Sequence, residues 1–125
     1  MLVHDLSASA VGNMECIDLA TVSEEPASPI EPFDFHGCYC GVASFVGQPP
    51  WEWHEGDELL HVLAGAFRFT VREPAGEIVR EFKEGDLVIV PARCWHRSDA
   101  PGGVTLLFMT PPGGRHSWND PEAAT

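Results

Sequence analysis

An all-β sandwich or barrel is the fold class this sequence predicts, and three observations predict it. Short apolar or alternating runs recur from Phe33 onwards. Compact turn signals such as "EPAGE" and "KEGD" separate them. No stretch of ten or more residues carries a stripe of period 3.6, so amphipathic helices are not expected. Many short strands with frequent turns close into a sandwich or a barrel.

Residues 1–32 read as an N-terminal arm. "SEEPASPIEP" holds three prolines and three acids, which suits neither a helix interior nor a central strand. The arm is expected to lie over the domain, with a short strand near "MECIDL". "CYCGVASF" is rich in β-formers and alternates loosely. "ELLHVLAG" reads as a strand that ends at its glycine. In "AFRFTVR", Phe67, Phe69 and Val71 share one face, while Arg68, Thr70 and Arg72 share the other. "IVREF" is a further strand. "LVIVP" has the continuous apolar character of a buried strand, as does "VTLLFMT", which Pro111 and Pro112 close. The last stretch, "PPGGRHSWNDPEAAT", is a polar tail. The expected organisation is an arm over 1–32, one barrel over 33–112 and a tail over 113–125. Phe67, Phe69, Phe82 and Phe108 are expected in the core.

The 125 residues suit one domain, and 44% apolar content can fill a core. Nineteen acids against seven bases give a net charge of -12. That sign disfavours nucleic acid and anionic membrane surfaces as partners. No apolar run approaches the roughly 20 residues that span a bilayer. The first residues lack the basic head of a secretory signal, so a cytoplasmic protein is expected. Four cysteines in that compartment are expected to be free thiols.

Residues 49–65, "PPWEWHEGDELLHVLAG", concentrate the candidate chemistry. Glu52, His54 and Glu58 fall at even offsets, which places them on one face of an extended chain. Leu60, Val62 and Ala64 continue that face; Leu59, His61 and Leu63 point the other way. His96 follows the apolar run "LVIVP", and a barrel can bring it beside the other three. Imidazole and carboxylate without thiolate suit Mn, Fe, Ni or Zn.

These residues resemble the cupin superfamily of small β-barrels. The family's first motif is G-x5-H-x-H-x3,4-E-x6-G. Gly47 starts a slightly shortened version, Glu52 stands at the first His, His54 and Glu58 match the second His and the Glu, and Gly65 closes it. In the second motif, G-x5-P-x-G-x2-H-x3-N, Gly85, Pro91 and His96 match; Arg93 replaces the inner Gly and Ala100 the Asn. The intervening "AFRFTVREPAGEIVREFKE" is the short kind seen in small microbial cupins. The resemblance covers residues 38 to 112 and implies a double-stranded β-helix, or jelly-roll barrel.

It also implies a divalent metal ion as cofactor, usually held in this family by three His and one Glu. Here the matching positions are Glu52, His54, Glu58 and His96. Two imidazoles and two carboxylates balance a divalent charge, where the usual set leaves +1. Glu52 is expected as fourth ligand, as a general base, or as a carboxylate bonded to a ligand histidine. Without Glu52, a two-His, one-carboxylate set remains, the arrangement of non-haem Fe(II) oxygenases. Trp51, Trp53 and Trp95 are expected either in core packing or as an aromatic wall around a small-molecule substrate. Arg93 either tolerates a turn or reaches over the barrel mouth to a substrate carboxylate. His61 is expected on the outer face, and His4, His36 and His116 in solvent. The two functional readings are a metal-dependent oxygenase, isomerase or lyase, and a binding or sensory module without turnover. A homodimer is expected, as cupins commonly pair through sheet edges, and outward Leu59 and Leu63 would serve there.

Overall fold

A computed structural model describes residues 33–121, and the expected arm over 1–32, with its strand near "MECIDL", lies outside the described residues. Eight strands follow one another: β1 Phe33–Phe35, β2 Cys38–Gly47, β3 Trp51–His54, β4 Glu58–Glu73, β5 Gly76–Lys83, β6 Leu87–Val90, β7 His96–Thr110 and β8 Gly114–Ser117. Every pairing is antiparallel. The long strands β4 and β7 organise the fold. β4 pairs with β5, β6 and β7, while β7 pairs with β2, β3 and β4. The curled sheet that results is a double-stranded β-helix.

Three elements differ from the sequence expectation. "ELLHVLAG" does not end at Gly65, because β4 runs on through Glu73. Gly65 takes φ +78°, and a side chain there would bring its Cβ to 2.3 Å from the Gly103 carbonyl oxygen. The glycine is thus a bend inside one strand, and the register against β7 shifts between Gly65 and Arg68. β6 is not buried on both faces: Val88 and Val90 point inward, while Leu87 and Ile89 are 61% and 56% exposed. Its apolar run belongs to a sheet with one open face. The tail also contributes structure, since β8 lies within it and pairs along the whole of β3.

The core fills the barrel from the inward faces of β2, β4, β6 and β7, with Phe45, Leu60, Val62, Val90, Val104 and Leu106 all buried. Phe67 and Phe69 lie on the buried face of β4, as their alternation predicts, and Phe82 and Phe108 pack against the cluster. Phe67 stands 5.5 Å from both Phe69 and Phe82, ring centre to ring centre. Such pairs add about 0.5–1.5 kcal/mol beyond the burial of their area. Cys38, Cys40 and Cys94 are free thiols. No helix among the described residues is long and apolar enough to cross a membrane.

Candidate metal centre

The centre begins with strand alternation. β3 is four residues long, and its pleat turns Glu52 and His54 inward while Trp51 and Trp53 face out. On one edge β3 pairs with β8, from Trp51 opposite Ser117 to His54 opposite Gly114. On the other edge a single pair, Glu52 opposite His96, ties it to the first residue of β7. Glu58 is the first residue of β4. All four donors therefore sit at strand ends on the inner face.

Two turns hold those ends in place. The Arg93 N–H donates to the His54 carbonyl at 2.8 Å, and the Ala92 N–H donates to Asp57 Oδ1 at 2.8 Å. Arg93 takes φ +60°, the left-handed region. This explains why the resembled motif has glycine at that position. Arginine occupies it at a cost of about 1–2 kcal/mol.

The donor atoms of Glu52, His54, Glu58 and His96 all lie within 4.8 Å of one another. His54 Nε2 is 3.3 Å from Glu52 Oε2 and 3.4 Å from Glu58 Oε2. His96 Nε2 is 3.7 Å from Glu52 Oε2 and 3.5 Å from Glu58 Oε1. Each of these imidazoles is buried, and neither Nε2 has a hydrogen-bond partner. Buried nitrogens aimed at a shared point without partners are costly unless something occupies it. A divalent cation fits that point by charge, by donor type and by the number of donors.

Supporting contacts orient two of the donors. His96 Nδ1 is 3.1 Å from the Cys94 carbonyl oxygen. A carbonyl can only accept, so Nδ1 carries the proton and Nε2 presents its lone pair inward. The Thr110 hydroxyl donates to Glu58 Oε2 at 2.6 Å, which fixes that carboxylate. The electrostatics agree. Burial would raise the Glu52 pKa, but His54 and His96 outweigh it and hold the carboxyl down to about 2. Burial would likewise lower His96, yet Glu52 and Glu58 raise it to about 9. In the absence of a metal, a proton is the cation this cluster takes up.

The donors open into a cavity of about 900 Å³. Its walls are mainly apolar, including Phe45, Leu60, Phe69, Leu106 and Phe108, with Tyr39 and Trp118 among the exposed lining residues. Trp51, Trp53, Trp95 and Arg93 do not line it. The reason is parity. With Glu52 and His54 inward, Trp51 and Trp53 must face out, where Arg72 covers Trp51 at 4.2 Å and Arg115 covers Trp53 at 4.4 Å. The Trp95 carbonyl accepts from the Arg72 N–H at 2.8 Å. Arg93 is 72% exposed and pairs with Glu55 instead of reaching over the mouth. His61 is half-buried and outside the cavity, as expected.

His116 is exposed, as expected, yet it also adjoins the donors. It lies opposite Glu52 on β8, with Nε2 3.7 Å from Glu52 Oε1, and lines the cavity. Trp118 joins it there. The four residues of β8, Gly114–Ser117, are too short a run for alternation to identify.

Comparison with known proteins agrees with this architecture. A family model described as "Cupin domain" matches residues 46–110. Among solved structures, a Neisseria meningitidis protein superposes with TM-score 0.57 at 23% identity, over 77% of this chain and 98% of that one. A Klebsiella pneumoniae protein with a double-stranded β-helix domain gives 0.60 at 16%, over 77% and 87%. Hydroquinone 1,2-dioxygenase from Sphingomonas, solved with 4-hydroxybenzoate bound, gives 0.55 at 12%, over 79% and 89%. No sequence among the curated proteins matches this one.

Proposed function

Because this chain belongs to the cupin domain family, we propose that it is a metal-dependent enzyme acting on a small organic molecule, by oxygenation, isomerisation or lyase chemistry. One observation carries this reading: four donors within 4.8 Å, with two buried imidazole nitrogens unpartnered, at the wall of a large apolar cavity. His54, Glu58 and His96 would hold an Fe, Mn, Ni or Zn ion, with Glu52 as fourth ligand or general base. Such an ion supplies Lewis acidity and a template for substrate.

The chain's own residues set the conditions. Glu52 is the donor best placed to leave the set, because its side chain is 32% exposed while the other three are 6% or less. Its carboxylate then takes or returns a proton at the cavity wall, with His116 beside it. Thr110 and the Cys94 carbonyl keep Glu58 and His96 oriented throughout. Phe69, 5.4 Å from the His96 ring, helps exclude water from the inner wall. A homodimer is part of the proposal, with the outward apolar residues Leu87 and Ile89 on β6 joining Leu59 as its surface.

A second reading, ligand binding without turnover, has its own support. Among the described residues, the lining offers no histidine, cysteine or carboxylate to move a proton apart from the four donors and His116. Metal analysis of protein purified without a histidine tag separates the two, together with oxygen uptake and product analysis on candidate substrates. Stoichiometric metal with turnover supports the enzyme. A site that stays empty when Mn, Fe, Ni and Zn are offered refutes it.

A further inference from the structure

The protein has seven lysine and arginine side chains, and none of them lines the cavity. Arg72 and Arg97 lie by Trp51 on the outer face of β3, and Arg115 lies over Trp53 there. Arg93 and Arg68 are exposed and paired with Glu55 and Glu81. Arg80 and Lys83 are exposed on β5. Residues 1–32 and 122–125 contain no lysine or arginine.

Apart from histidines, the charged side chains that face the cavity are the carboxylates of Glu52 and Glu58. A divalent ion on the four donors is balanced by those two carboxylates, leaving no surplus positive charge for a ligand. Without the ion, the proton that the cluster takes up is offset by the two carboxylates, so again no surplus positive charge is left. Either way, a ligand carboxylate or phosphate held against Phe45, Leu60, Leu106 and Phe108 would lose its water and find no arginine or lysine in return. An unpaired buried charge of that kind costs several kcal/mol. Besides His116, the side-chain polar groups on the remaining wall include hydroxyls. Ser44 is buried and shares a 2.8 Å hydrogen bond with Thr105, and Ser98 faces the cavity two residues beyond His96.

We propose that the cavity selects uncharged, largely apolar or aromatic molecules and rejects organic anions. The inference deepens the reading of the cavity as the substrate site and rests on it. At about 900 Å³ the space lies toward the large end of small-molecule sites, so a ring system with a substituent fits. A neutral hydroxyl or carbonyl would be the group that reaches the donors.

The test uses a matched pair of the same shape, 2-naphthamide and 2-naphthoate. Their binding to the full chain is measured calorimetrically at pH 7, in Zn-loaded and metal-free protein, with metal content counted separately. The amide should bind at least ~10-fold tighter than the carboxylate in both forms. Equal or tighter binding of the carboxylate overturns the proposal, as does failure of both to bind at millimolar concentration. Ser98→Arg places a cation inside the cavity and should raise carboxylate affinity at least ~10-fold while metal content stays stoichiometric. If that variant folds without such a gain, the charge argument fails; if it does not fold, the wild-type pair still decides. Protein that takes no metal yet prefers the amide refutes the metal-enzyme reading and leaves the selectivity standing. Protein that takes metal and prefers the carboxylate does the reverse.

Discussion

The two faces of β3 are separated by one strand's thickness and have opposite chemistry. Inward, Glu52 and His54 meet Glu58 and His96 in a cavity lined by no lysine or arginine. Outward, Trp51 and Trp53 lie beneath Arg72, Arg97 and Arg115. The strand "WEWH" thus sorts carboxylate and imidazole to one side and indole with its guanidinium cover to the other. The difference teaches that the same strand is a binding surface on one face and a stabilising surface on the other. Substitutions on the two faces should fail in different ways.

The largest expected effect lies outside. Trp53→Ala removes a buried indole and should cost about 3–5 kcal/mol in denaturant unfolding, while the protein that remains folded keeps full metal content. Metal loss in that folded fraction would break the comparison. Inside, His96→Ala should weaken metal binding by more than ~100-fold, beyond the range usual for losing a supporting contact, with the β-sheet circular dichroism intact. Retention of metal at full occupancy would remove His96 from the ligand set. Thr110→Val deletes the hydroxyl that holds Glu58 and should cost about 10–100-fold in metal affinity, read by competition with a chelator.

A pH series sharpens the inner face further. In metal-free protein His96 titrates at about 9, above its ordinary 6.5. Its contribution to stability is therefore complete below 6.5 and lost as pH rises through 9. Glu52 titrates at about 2, below its ordinary 4.5, so its contribution is complete above 4.5 and lost as pH falls towards 2. Metal-free protein should be most stable between about 4.5 and 6.5. The decline above that range is limited to about 1.4 kcal/mol per pH unit, because one proton is released. Thermal melts carried beyond that range, down towards pH 2 and up through 9, check the shape, and His96→Ala should remove the alkaline limb. The smallest effect returns to the outer face. Arg115→Met should cost about 0.5–1 kcal/mol and leave metal binding unchanged.

Much of this was legible in the residues. Strict alternation in "AFRFTVR" announced a half-buried strand, and the even spacing of Glu52, His54 and Glu58 placed them on one face. That parity survived the turn at 55–57 because the Asp57 and Arg93 contacts close it. The same parity excludes Trp51 and Trp53 from the inner wall, a conclusion available before any coordinates. Other features depend on distant partners. Gly65 looks like a strand end until the Gly103 carbonyl is seen against it. β6 looks buried until only one face finds a neighbour. His116 gains meaning only once β8 folds back across 60 residues of chain to β3.

That return journey has a consequence for biosynthesis. The strand that carries two of the donors leaves the ribosome long before Gly114–Ser117, which closes its free edge. A nascent chain halted after Thr110 would display Glu52 and His54 on an unzipped border, open to solvent and to promiscuous pairing. A chain truncated after Thr110 keeps all four donors but should hold a cation less tightly, because the strand carrying Glu52 and His54 is left with that edge unpaired.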